Sequence, residues 1–233
     1  MKKTVRTFTA EHFAKIVEIV KKRMAEEAPA AKIASEVQHK VGDIPRWSLP
    51  PFYTCGANCK FCKEHCYAVK DWVGNRVTSV SKHQVRNLLA VMRELVKTQL
   101  YLVKWIRRRK PAFFRIHPSG DFAVPGMGTR YAWMWYNVAK LCPDTRFLAF
   151  TKCYDIVREV PFYELPNFSL VLSEWTDVLS APEDLKKYYR TSRAVEDLKD
   201  VRPDEMVCPG SCENCGMCWA LKDLGKDVAF EIH

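Results

Sequence analysis

Apolar positions near the start of the chain return at helical spacing. Phe13, Ile16, Val17, Val20 and Met24 fall on one side, interrupted by Lys and Glu. That period predicts an amphipathic helix. A second helical stripe begins after Ser81, a suitable N-cap, and runs through Val85, Leu88, Met92, Leu95, Val96, Val103 and Ile106 until Pro111 stops it. Between the two, WSLPPFYTC (47–55) is apolar and aromatic and reads as a short strand, with Pro50 and Pro51 marking an edge. Beyond residue 111 the periods alternate. AFFRIH (112–117), RFLAFT (146–151) and FSLVLS (168–173) read as strands, and DVAFEIH (227–233) as a closing one. YAWMWYNVAKLC (131–142) and APEDLKKYY (181–189) read as helices, and DIVREVPFYE (155–164) as a short helix or turn. Strands alternating with helices predict a parallel sheet with right-handed crossovers. The fold class is therefore α/β, a partial (β/α) barrel or open parallel sheet. An N-terminal helical segment (1–46) precedes the core (47–200), and a cysteine-rich module with the closing strand (201–233) follows it.

Composition narrows the setting. With 233 residues, 48% of them hydrophobic, the chain can bury a sizeable core. The basic N-terminus lacks the continuous apolar run of a signal peptide, and no other stretch is long enough to span a bilayer. The expected location is the cytoplasm, with no membrane partner. In a reducing compartment clustered cysteines serve as metal ligands more often than as disulfides. Eight of the ten cysteines fall into two tight groups, leaving Cys142 and Cys153 apart as expected buried apolar residues. The net charge is +10, and the most concentrated basic run is KWIRRRKPAFFR, Lys104 to Arg115. That run is either the solvated end of a helix or a surface for phosphates, so an anionic substrate or nucleic acid is an expected partner.

The first cysteine group, TCGANCKFCKEHCYA, carries Cys55, Cys59, Cys62 and Cys66. Gaps of three and two residues let thiolates converge on an iron–sulfur cubane, whereas zinc sites usually pair two C-x2-C knuckles. The C-x3-C-x2-C spacing with Phe61 before the third cysteine resembles the radical S-adenosylmethionine (SAM) superfamily. There three cysteines on a loop after the first barrel strand hold a 4Fe–4S cluster, whose fourth iron binds the amino and carboxylate groups of SAM. Ser119, Gly120 and Asp121 are a weak relative of that superfamily's glycine–glycine–acid motif, with one glycine replaced. The resemblance implies that they receive the SAM amino group. Cys66 lies within reach of the fourth iron and could close the site. At family level SLPPFYTCGANCKFCKEHCYA, RIHPSGDF, YAWMW, LCPDTRFLAFTK and CENCGMCW resemble, in order, the phage-associated gene product 88 family. That likeness runs from about Ser48 to Trp219 and implies that both cysteine groups belong to one design.

The second group, Cys208, Cys212, Cys215 and Cys218, is spaced to surround another 4Fe–4S cubane, or a structural zinc. Barrel closure by 227–233 would bring it beside the first strand. Functional groups of parallel α/β folds gather at the C-terminal ends of strands. Those ends supply Arg115 and His117, placed on one face by alternation, with Lys152 and Glu174. Arg115 and Lys152 could bind an anion, and His117 and Glu174 could move protons, although Lys152 and Glu174 could equally pair at the rim. His65 is expected in solvent. Together these features suggest a radical-SAM-like enzyme with two 4Fe–4S clusters, an external electron donor and SAM as cosubstrate. The alternatives are a non-catalytic two-cluster electron carrier or nucleic-acid-binding protein, and a SAM-independent iron–sulfur reductase or lyase.

Overall fold

The computed structural model describes residues 7–34, 41–73, 77–175 and 178–232. The remaining residues of the expected N-terminal segment (1–6 and 35–40) and His233 of the expected last strand lie outside the described residues. Seven parallel strands form one sheet in the order β1-β2-β3-β4-β5-β7-β6. They are β1 (Arg46–Trp47), β2 (Phe113–Ile116), β3 (Arg146–Thr151), β4 (Phe168–Trp175), β5 (Arg190–Val195), β6 (Glu205–Val207) and β7 (Asp227–Glu231).

Five of these strands step across the sheet in chain order, so right-handed crossovers place their helices on one face. That face is covered by α1 (Ala10–Glu26), α2 (Val77–Arg93), α3 (Leu95–Arg109), α4 (Arg130–Leu141) and α5 (Tyr154–Arg158). The core beneath them includes Ile16, Val20, Trp47, Val85, Leu88, Phe114, Trp135, Phe147 and Leu170. YAWMWY, in the helix expected over 131–142, packs here and buries Tyr131, Met134 and Trp135. The short α6 (Glu183–Lys186) links β4 to β5. No described helix is long and apolar enough to cross a membrane.

The link from β6 to β7 behaves differently, because β7 lies between β5 and β6 and the chain steps backwards. A right-handed crossover in that direction must pass over the opposite face. This crossover is the second cysteine segment, with α7 (Cys212–Cys215) and α8 (Leu221–Leu224). It packs Trp219 and Leu221 against Leu148, Val171 and Val228 on the face the larger helices leave free. Ser169 Oγ donates to Cys218 O (2.8 Å) and Trp219 Nε1 to Phe114 O (3.3 Å), fixing the segment to the sheet.

Several expectations change. The strand expected over 47–55 is reduced to Arg46–Trp47, since the Pro50–Pro51 pair turns the chain. Ser81 lies inside α2 and not at its start, its hydroxyl donating to Val77 O. The single long helix breaks at Glu94 (φ −137°, ψ 45°). The break turns Leu102 and Ile106 inward and leaves Val96 and Leu100 in solvent. Strand β7 does not close a barrel beside β1, and β5 and β6 are strands that the alternation of apolar positions did not reveal.

Candidate functional site

The first cysteine group lies on a loop of three short 3-10 turns, Ala57–Phe61, Lys63–His65 and Tyr67–Asp71. Gly56 (φ 70°) starts the loop where an added Cβ would stand 3.2 Å from Ala123 Cβ and 3.5 Å from Cys153 Sγ. The loop is lashed to the C-terminal ends of β2 and β3. Ala123 N donates to Thr54 O (3.1 Å), Asn58 Nδ2 to Lys152 O (2.8 Å), and the Tyr67 hydroxyl to Pro118 O. The start of α1 adds a tie, Phe8 N to Glu64 O (2.8 Å).

Within the loop the four thiols divide three and one. The Cys59 thiol interacts with those of Cys55 and Cys62, forming a connected row. Cys55 and burial push the Cys59 thiol well up, and Cys59 and burial do the same to Cys62. Cys66 stands apart. Burial and then the Cys62 charge push it up to about 11, opposed by the backbone of Ala68 and Val69 in the following turn, where Val69 N donates to Cys66 O (3.1 Å). Phe61 is half-buried, with Lys60 Nζ 4.9 Å from its ring centre. Cys142 and Cys153 are buried as expected, and Cys153 Sγ also donates to Cys55 O at 3.7 Å.

Ser119, Gly120 and Asp121 form the turn beneath this loop, and their polar atoms are spent on the chain itself. The Asp121 carboxylate accepts from Thr151 Oγ1 (2.6 Å), Phe122 N (2.7 Å) and Lys152 N (2.8 Å). Burial nonetheless raises its pKa. Ser119 Oγ donates to Leu49 O (3.1 Å), with Gln84 Oε1 at 3.3 Å. Gly120 has φ 81°, and a Cβ there would fall 2.6 Å from Thr54 Oγ1 and 2.9 Å from Leu49 O. The turn is a seat for the segment leading into the cysteine loop.

The second group surrounds a hollow lined by Cys208, Cys212, Cys215 and Cys218 with Met206, Trp219 and Val228. Burial pushes the Cys218 thiol up to about 12, Arg115 opposes the shift, and the other three thiols add to it. As the chain stands, no group of three or more His, Cys, Asp or Glu among the described residues is arranged to hold a metal ion.

Arg115 and Tyr67 mark where the two groups meet. The Tyr67 ring is 60% exposed, but its hydroxyl turns inward. Burial raises that hydroxyl to about 12, Arg115 lowers it, and the charges of Cys66, Cys212 and Cys55 all act on it. Arg115 projects to the same face as Leu148 and Phe150, and its guanidinium lies 4.2 Å from the Phe150 ring centre.

The other strand-end candidates separate. His117 does not share a face with Arg115. Its left-handed backbone (φ 53°) before Pro118 breaks the alternation and turns the ring to the helix side, with Nε2 2.7 Å from Tyr131 Oη. Burial and then Arg115 push its pKa down to about 3, so it is neutral. Glu174 also faces the helices, accepting from Ala181 N (2.9 Å) and pairing with Lys186 (3.1 Å), not Lys152. Lys152 remains at the site, 6.0 Å from the Trp175 ring centre, and its charge reaches Cys62 and Cys66. His65 is half-buried and stacks on Trp175 at 5.9 Å. Sequence reasoning missed Tyr67, Phe150 and Trp175. Only Phe150 carried a signal, its alternation with Leu148 along β3.

Comparison with known proteins agrees with the extent of this arrangement. The family described as Gene product 88 matches residues 19–221, which include both cysteine groups. The Gene 88 protein of Mycobacterium phage L5 is 26% identical, the match covering 71% of this chain and 78% of the relative. The Gene 88 protein of Mycobacterium phage D29 is 24% identical with the same coverage. No solved structure matches. Since the match runs from within α1 to the start of α8, the chain belongs to the Gene product 88 family.

Proposed function

We propose that the protein is a cytoplasmic two-cluster iron–sulfur enzyme of radical-SAM-like type. The observation that carries this reading is the pairing among three of the four thiols of the first group. Cys55, Cys59 and Cys62 interact through their sulfurs, whereas Cys66 is linked to them by charge alone. A cubane takes one thiolate at each of its iron corners. Three ligands from this loop leave one iron free, and four from the second hollow would leave none. The site's charge suits such groups, because a cluster with its thiolates is anionic and Arg115 and Lys152 face the two cysteine groups. When bound, a reduced cluster with an open iron supplies an electron to the sulfonium of SAM.

The chain's own residues then have distinct tasks. Cys55, Cys59 and Cys62 would hold the first cluster, and Cys208, Cys212, Cys215 and Cys218 would hold an auxiliary one. The Ser119–Asp121 turn positions the loop, because its polar atoms are already bonded within the chain. Electrons come from an external donor. The test is anaerobic reconstitution followed by SAM and dithionite, which should release 5′-deoxyadenosine and methionine. No release from protein whose iron and sulfide contents show both clusters intact would overturn the proposal.

One observation favours a second reading, a closed, non-catalytic protein: Cys66 stands close enough to feel the Cys62 charge. That reading expects Cys66→Ala to lose or alter the first cluster, whereas the open-iron reading expects the cluster to remain.

A further inference from the structure

The Arg115 side chain has a buried polar atom that the fold does not satisfy. Its Nε is buried and meets no hydrogen-bond acceptor. The guanidinium lies against the Phe150 ring, and among the described residues no carboxylate pairs with it. Arg115 as a whole is half-buried, but a buried side-chain donor such as its Nε almost always has a partner, because leaving it unsatisfied costs its desolvation in full. The other inward-facing cation, Lys152, has no ion pair among the described residues either. By contrast Arg86, Arg158 and Arg193 each meet a carboxylate.

The position matters as much as the missing partner. Arg115 stands on β2 between Phe114, whose carbonyl accepts from Trp219 of the second cysteine segment (3.3 Å), and Pro118, whose carbonyl accepts from the Tyr67 hydroxyl of the first loop, so it lies between the two groups. A guanidinium held over an aromatic ring loses part of its freedom while its N–H groups stay available, which suits two-point recognition of a carboxylate or phosphate. We propose that Arg115, seated on Phe150, anchors a carboxylate or phosphate group of the substrate on the sheet face between the two cysteine groups. The term substrate rests on the enzyme reading above. The anion site itself does not.

The experiment titrates inorganic phosphate, and acetate as a carboxylate probe, into the reconstituted full-length protein. Binding is followed by calorimetry and by the thermal midpoint, with iron and sulfide measured on every sample. At least one anion should bind saturably to wild type, and Arg115→Gln should weaken that binding at least about tenfold. Arg115→Lys should retain part of it, and Phe150→Leu, which keeps the charge and removes the platform, should weaken it about threefold. Should Arg115→Gln fail to fold, the Lys and Leu variants decide. The control Lys104→Gln/Arg108→Gln changes exposed cations of α3 and should bind as wild type does. The proposal is overturned by no saturable binding in wild type, or by equal binding in wild type and the Arg115 variants. It also falls if Arg115→Gln loses iron while binding of the anion is unchanged, since Arg115 would then be a counter-charge for the clusters. Arg115-dependent binding in protein that holds no iron would keep the anion site and refute the cluster reading.

Discussion

Acidification from pH 7 to pH 5 should destabilise the fold through His117, by an amount its surroundings set. The ring is 3% exposed and its pKa is pushed down to about 3 by burial and then by Arg115. In the unfolded chain the imidazole returns to about 6.5. Below that value the unfolded state binds a proton that the folded state refuses. This contribution to stability is therefore present above about pH 6.5 and is lost as the pH falls towards 3. Between pH 7 and pH 5 the loss is about 2 kcal/mol, against a total stability of roughly 5–15 kcal/mol. Urea unfolding followed by tryptophan fluorescence at the two pH values measures it, in wild type and in His117→Gln. The variant loses the Tyr131 contact and should be weaker at pH 7, yet its decline on acidification should be smaller than wild type's by about 2 kcal/mol. Equal declines would refute the assignment of a neutral, structural His117 and restore it as a proton carrier near pH 6.5.

Three other perturbations test the framework around the site. Asp121→Asn sets an amide among three donors and should cost about 2–4 kcal/mol in the urea midpoint; a loss under about 0.5 kcal/mol would show that the carboxylate does not hold the loop seat. Gly120→Ala forces a Cβ against Thr54 Oγ1 and Leu49 O in a left-handed backbone, so the thermal midpoint should fall by the equivalent of about 2 kcal/mol or more, and no fall would mean the turn is looser than described. Glu205→Ala removes the carboxylate partner of the Arg193 guanidinium, whose two bonds of 2.9 and 2.7 Å to it tie β5 to β6 across β7, and leaves the bond to Asp200 O (2.8 Å); it should cost about 3 kcal/mol, whereas the double variant Arg193→Met/Glu205→Leu should regain much of that.

The helix stripes, the alternation from residue 112 onwards and the two cysteine spacings were legible in the sequence because each is a local pattern. What escaped depends on partners remote in the chain. RTSRAV (190–195) has no apolar alternation, and it becomes a strand because β4 and β7 flank it and Glu205 neutralises Arg193. Alternation misplaced His117, since one left-handed residue before a proline redirects every side chain after it. The meeting of the two cysteine groups was expected from barrel closure. It arises instead because the chain steps backwards from β6 to β7, sending the crossover to the opposite face. Glu174 was read as a site residue from its position at a strand end, but the parity of β4 turns it towards α6.

The most direct test is the EPR spectrum of the dithionite-reduced first cluster with and without SAM. It is recorded in a Cys212→Ser/Cys215→Ser variant so that the second group does not contribute. An open iron predicts a reduced 4Fe–4S signal that shifts when SAM is added and persists in Cys66→Ala. An identical spectrum with and without SAM, or a signal lost on removing the Cys66 sulfur, would contradict it.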